Sequence, residues 1–209
     1  MMAPTLHDIF QQWKQTPRSD EVTWTDHWLN MWGLHIAMYI NEGWHLIPIA
    51  PESKRPMERT HWNNDAPLDL IRANDFVRAG CNIAVVAKFS NLIIVESDQE
   101  LMKLDFPRDG FNLTLTAKTP RGYAFFCKAP KGRPGPWKKR AWQKLKRRWG
   151  FDTMRDDVQY QLVPLSRTCV FDSHGGCNHP DKPHDYRVRT WISSVEHAMD
   201  FEQFTRIVT

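Results

Sequence analysis

Apolar residues at Leu6, Ile9, Phe10 and Trp13 recur at helical spacing, with Thr5 placed as a cap and Pro17 beyond the end. A longer helix is predicted from about Thr25 to Asn41. Trp28, Leu29, Trp32, Ile36, Tyr39 and Ile40 form a wide apolar stripe along it, and Gly43 follows its end. Such a stripe is read as core in preference to a binding surface. Trp44–Ala50 is predicted as a strand, at an edge or ending at Pro48, because proline cannot donate to a ladder. A further helix is predicted over Pro67–Phe76, with Leu68, Ile71 and Phe76 as its apolar contacts. From there the period shortens to that of strands.

Asn82–Ala87 and Leu92–Val95 are apolar, rich in β-branched residues and tightly joined, which predicts a hairpin. A second pair, Leu113–Thr116 and Tyr123–Cys127, flanks the turn Thr119-Pro120-Arg121-Gly122. A third pair is predicted from Trp149–Asp152 and Tyr160–Val163, around Arg155-Asp156-Asp157. The tail, Ser194 to Ile207, reads as a helix capped by Ser194, with Val195, Met199, Phe201 and Phe204 apolar. Helices at both ends and hairpin-linked strands between them predict an α+β fold with mixed or antiparallel sheets.

The chemistry concentrates where the acidic strand ends. Leu92–Val95 runs into Glu96-Ser97-Asp98, and strand alternation puts Glu96 and Asp98 on one face. Two carboxylates on one face repel unless a cation lies between them. Mg²⁺ or Mn²⁺ suits such a pair, since both prefer carboxylate oxygen and leave positions open for phosphate. A solvated acidic turn is the alternative. Upstream, Lys54 and Arg55 sit in a polar loop between two prolines, and such a loop can grip phosphate or simply be solvated.

Composition narrows the classes. At 209 residues the chain can bury one good core with at most a small appended subdomain. No apolar run reaches membrane length, and no basic region followed by an apolar stretch opens the chain, so no membrane partner and a cytoplasmic setting are expected. Cys81, Cys127, Cys169 and Cys177 are too sparse for a disulfide framework. The net charge of +4 matters less than its distribution: ten Lys or Arg and no acid lie between Lys128 and Arg148.

That basic run, with Trp137, Trp142 and Trp149 in or beside it, is the strongest sign of a nucleic-acid partner. Arg133, Lys138, Lys139, Arg140, Lys144, Lys146, Arg147 and Arg148 would neutralise phosphates, and an exposed Trp137 would stack unpaired bases. A solvated helix whose tryptophans face the core is the competing reading, and at least one of them is expected in the core. Cys169, His174, Cys177, His179 and His184 crowd into a short loop. His174, Cys177, His179 and His184 could supply a tetrahedral Zn²⁺ site, although the spacing matches no standard finger. A polar loop with incidental histidines is the alternative.

Three blocks together resemble the N-terminal domain of bifunctional primase–polymerases, in the archaeo-eukaryotic primase superfamily found on plasmids and viruses. They are GWHLIPIAPESKRP, CNIAVVAKFSNLIIVESD and FDTMRDDVQYQLVPLS, with TPRGYAFF between the last two. The resemblance spans about Ala37 to Ser166. It implies a single domain over 1–209: a helical part at 1–42, a catalytic core of primase–polymerase type with an RRM-like centre at 43–166, a basic insertion at 128–149, and a Cys/His loop with a terminal helix at 167–209.

It also implies that Glu96, Asp98 and Asp152 hold two Mg²⁺ or Mn²⁺ ions between a primer 3′-hydroxyl and a nucleotide triphosphate, with Lys54, Arg55, Lys118, Arg121 and Ser166 around the nucleotide. Asp156 and Asp157 rank below Asp152, because turn acids are usually solvated.

Two departures stand out. Glu96 takes a place usually held by aspartate. Ala124 falls about where the family carries a nucleotide-contacting histidine, and no histidine occurs from Trp62 to Phe171. The implied activity is primer synthesis or extension on single-stranded DNA for replication of a plasmid or virus. The alternative is a catalytically impaired relative that binds single strands or primer–template. A metal-dependent nuclease is a third class, with no residue specifically pointing to it. No GxxxxGK[ST] motif occurs, so a helicase partner is expected as a separate protein.

Overall fold

Short runs of buried β-branched and aromatic residues build two main sheets, and helices cover the apolar faces they leave. The computed structural model describes residues 26–51, 53–57, 66–99, 101, 106–130, 136–156, 159–169, 186–193 and 197–209. The helix expected at Leu6–Trp13 and the Cys/His loop lie outside the described residues.

In order, the elements are α1 (Asp26–Asn41), β1 (Leu46–Ile49), α2 (Leu70–Arg78), β2 (Asn82–Val86), β3 (Leu92–Ser97), β4 (Leu115–Lys118) and β5 (Tyr123–Lys128). They continue with α3 (Pro136–Trp149), β6 (Thr153–Arg155), β7 (Tyr160–Leu162), β8 (Arg167–Cys169), β9 (Tyr186–Val188), β10 (Thr190–Trp191) and α4 (Phe201–Val208). The larger sheet has strand order β10-β4-β5-β3-β6, the smaller β1-β2-β7, and β8 pairs with β9. All these pairings are antiparallel. The α+β architecture expected from the pattern is the one observed.

Alternation sorts the larger sheet's side chains into two cores. Leu92, Ile94, Ala124, Phe126, Leu115 and Ala117 join Val85 and Ile83 of the smaller sheet and Trp32, Ile36 and Tyr39 of α1. The opposite face, with Ile93, Val95, Phe125 and Cys127, packs against Ala141, Leu145 and Trp149 of α3 and Phe201, Phe204 and Val208 of α4. A polar side chain of α1 is also buried beside this core. His35 is buried beside Tyr39, its Nδ1 3.1 Å from the hydroxyl, and burial pushes its pKa down to about 3.

Several expectations are corrected. β2 and β3 do not form a hairpin. A 3₁₀ turn at Lys88–Ser90 and a left-handed Asn91 (φ 53°) redirect the chain between sheets. β2 then pairs with β1 and β7, while β3 pairs with β5 and β6, so both edges of each are already used. Trp149–Asp152 and Tyr160–Val163 do not pair either. Trp149 closes α3, and the strand that follows, Thr153–Arg155, joins β3, whereas Tyr160–Leu162 joins the other sheet. Ile71 is 74% exposed, and α2 instead buries Ala73 and Val77, with Asp69 accepting from the Arg72 N–H as its cap. The terminal helix is capped by Asp200, which accepts from Glu202 and Gln203 N–H, and not by Ser194, which lies outside the described residues.

Candidate nucleotidyl-transfer site

Three chain segments converge at the end of β3. Register places Glu96 opposite Ala124 of β5 and Thr153 of β6, and residues opposite in an antiparallel ladder share a face. The chain reaches β6 from α3 through Gly150, whose φ of +66° L side chains rarely adopt. A Cβ there would also strike the Gln99 amide at 2.6 Å. This turn returns Asp152 to the strand it must meet. Its N–H donates to the Glu96 carbonyl at 3.1 Å, and its Oδ2 accepts from the Asp98 N–H at 3.1 Å. Asp98 and Asp152 are both exposed.

The turn Thr119–Gly122 crosses the same strand end. Gly122 is required by close approach: a Cβ would stand 1.8 Å from the Ser97 carbonyl oxygen. Thr119 Oγ1 accepts from the Gly122 N–H at 2.9 Å and closes the turn. Arg121 is thereby held 3.4 Å from Asp98 Oδ2. Both partners are largely exposed, so this pair contributes about 0–1 kcal/mol of stability. Lys118, half-buried, lies 4.1 Å from the Tyr123 ring centroid.

Glu96 lies in a different environment. It points into the space between the sheets and is nearly enclosed, with 13% of its side chain exposed. Arg155 Nη1 donates to its Oε2, Arg189 Nη1 lies 3.5 Å from its Oε1, and the Gln161 amide donates to the same Oε1. Burial would raise its pKa, but Arg155 and Arg189, with hydrogen bonds from Arg155 and Gln161, hold it below the usual carboxylate range. Arg189 is itself buried. Burial lowers its pKa and Glu96 opposes the effect, while its Nε has no partner among the described residues.

These three groups were not among the residues singled out from the sequence. Gln161 alternates with apolar neighbours in a strand, which is the one local signal. Arg187 and Arg189 flank Val188 in a short segment, and nothing local separates exposed Arg187 from buried Arg189.

The other expected residues are placed as follows. The loop carrying Lys54 and Arg55 is tied down by Asn82, whose amide donates to the Ser53 carbonyl, and by the Tyr160 hydroxyl, which donates to the Lys54 carbonyl. Ser166 is fully buried, its hydroxyl donating to the Ile83 carbonyl at 3.0 Å. On α3, Lys138 is paired with Asp156. Lys139, Arg140, Lys144, Lys146, Arg147 and Arg148 are exposed. Trp149 is core, its indole N–H donating to the Val208 carbonyl at 2.7 Å, so it is not a stacking platform. Trp142 is half-buried against the same core.

Arg133, Asp157, His174, Cys177, His179 and His184, and the side chains of Trp137 and Cys169, lie outside the described residues. Among the described residues no group of three or more His, Cys, Asp or Glu gathers to hold a metal.

Among the described residues, an antiparallel α+β fold brings two exposed acids, Asp98 and Asp152, to adjacent strand ends. The family model for the N-terminal domain of bifunctional DNA primase/polymerases matches residues 36–189, and the chain belongs to that family. Among solved structures it is similar to the AEP domain of the cyanophage S-2L primase–polymerase (PrimPol). That match has 15% identity and a TM-score of 0.47, and covers 84% of this chain and 95% of that one. No curated protein matches the chain. No helix among the described residues is long and apolar enough to cross a membrane.

Proposed function

We propose that the chain is a metal-dependent nucleotidyltransferase that makes or extends primers on a single-stranded DNA template, serving the replication of a plasmid or virus. The observation that carries this reading is the bond from the Asp98 N–H to Asp152 Oδ2, which joins two exposed acids from distant parts of the chain. Asp98 and Asp152 fit a divalent ion: both are exposed and are joined by the bond from the Asp98 N–H to Asp152 Oδ2, with Arg121 paired to Asp98 and Arg189 near enough to act on it. Glu96 does not fit as well, because its oxygens are engaged by Arg155, Arg189 and Gln161.

Mg²⁺ or Mn²⁺, held by Asp98 and Asp152, would supply activation of the primer hydroxyl and charge neutralisation on the triphosphate. The chain's own groups do the positioning. Arg121 stands beside the acids to meet phosphate oxygens, and Lys118 lies on the same strand pair. Lys54 and Arg55 offer a second phosphate contact on a loop fastened to β2 and β7. The exposed cations of α3 would track the template backbone.

One observation favours a second reading, a binding protein without catalysis: Ala124, opposite Glu96, has a methyl group that can neither donate a proton nor contact phosphate, at about the place where the resemblance implies a histidine. Primer extension with Mn²⁺ and labelled deoxynucleotides decides between them. Incorporation by the wild type, lost in Asp98→Ala and Asp152→Ala, supports the enzyme. No incorporation by the wild type, with salt-sensitive single-strand binding retained, supports the binding protein. Zn²⁺ at His174, Cys177, His179 and His184, and a separate helicase partner, are further proposals, and metal analysis of the purified chain decides the first.

A further inference from the structure

The geometry points to Glu96 as the hub of an ion-pair clamp between the two sheets, with the divalent cation held by Asp98 and Asp152 without it. This rests on the metal-dependent reading above. The argument begins with charge. Arg155 comes from β6 of the larger sheet and Gln161 from β7 of the smaller. Arg189 precedes β10, and its backbone bonds to Leu165 and Ser166. Three separate segments therefore converge on one carboxylate.

Two guanidiniums already compensate the Glu96 carboxylate, and Asp98 also acts on Arg189. A divalent ion on the Glu96 oxygens would compete with both guanidiniums for them. It would have to displace Arg155 and the Gln161 amide, leaving buried donors without acceptors, which is costly. Arg189 has little freedom to withdraw, with 5% of its side chain exposed. Asp98 and Asp152 are exposed: Asp98 pairs with an exposed Arg121 that can move aside, and Asp152 accepts from the Asp98 N–H. Reach accounts for the type of residue: the longer Glu96 side chain spans from the end of β3 across to Gln161 on the facing sheet.

Glu96 is accordingly a positioning residue. It joins β3, and so Asp98, to β6, which carries Asp152, and to the smaller sheet. The test is Mn²⁺ affinity, read by electron paramagnetic resonance, alongside thermal unfolding. Glu96→Gln is expected to leave Mn²⁺ affinity within about twofold while lowering Tm by roughly 6 °C or more, because buried Arg189 and half-buried Arg155 lose their counter-charge. Asp98→Asn and Asp152→Asn are expected to weaken Mn²⁺ binding by about tenfold or more with little change in Tm.

A Glu96→Gln chain that loses Mn²⁺ affinity as far as Asp98→Asn does, with Tm unchanged, overturns the clamp. If Glu96→Gln does not fold, Glu96→Gln/Arg155→Gln keeps the net charge of the cluster and carries the same titration, with the same two outcomes. A wild-type chain that takes up no Mn²⁺ overturns the nucleotidyltransferase reading instead, and the clamp is then decided by Tm alone.

Discussion

Gly122→Ala tests how the site is assembled without touching any of its charges. A Cβ at this position would stand 1.8 Å from the Ser97 carbonyl oxygen, 2.8 Å from its carbon and 2.9 Å from Asp98 Cα. All three are backbone atoms, so no side chain can swing aside. The turn and the end of β3 must part by about 1 Å or more, and overpacking of this kind costs about 1–3 kcal/mol. Two smaller effects oppose each other. Losing the exposed Arg121–Asp98 pair costs about 0–1 kcal/mol, while alanine restricts the unfolded chain and returns about 0.4–1 kcal/mol.

The net expectation is a loss of about 1–3 kcal/mol, or a Tm fall of about 2–4 °C for each kcal/mol in a chain of this size. Urea unfolding would show the midpoint falling with its slope unchanged. Because the strand end moves with Asp98, Mn²⁺ affinity should fall in the folded variant too. Gly33→Ala is the control. It makes the same chemical change inside α1, where the nearest atom is Asn74 Oδ1 at an ordinary 3.5 Å. There alanine should stabilise by about 0.5–1 kcal/mol, from helix propensity. A Gly122→Ala protein within 0.5 kcal/mol of wild type, with metal affinity intact, would refute the reasoning.

Two further outcomes are expected. His35 is neutral and buried in the fold, with its pKa lowered to about 3, whereas the unfolded chain protonates it near the ordinary 6.5. Stability from this group is therefore complete above the unfolded value and declines as pH falls from there toward about 3, by up to about 1.4 kcal/mol per pH unit. Comparing denaturant unfolding of wild type and His35→Leu across that range should show a shallower decline in the variant, and parallel curves would show that His35 is not the group responsible. Asp200→Ala removes the acceptor for the Glu202 and Gln203 N–H groups. It should cost about 1 kcal/mol in equilibrium unfolding, and Asp200→Asn should recover most of it.

What could be read along the chain was whatever depends on near neighbours. The stripe through Trp32, Ile36 and Tyr39, the strand cores from Asn82 to Val95, and the Thr119–Gly122 turn all follow from periodicity or local turn chemistry. So does the placement of Glu96 and Asp98 at the same strand end. Pairing is another matter. β2 and β3 are apolar enough to accept each other, and only their separate partners, β1 and β7 for one and β5 and β6 for the other, assign them to different sheets. The same holds for the charges. Glu96 and Asp98 look equivalent in sequence, two residues apart. Folding encloses one between sheets against Arg155 and Arg189 and leaves the other exposed, because the arginines arrive from segments that local pattern does not connect to β3.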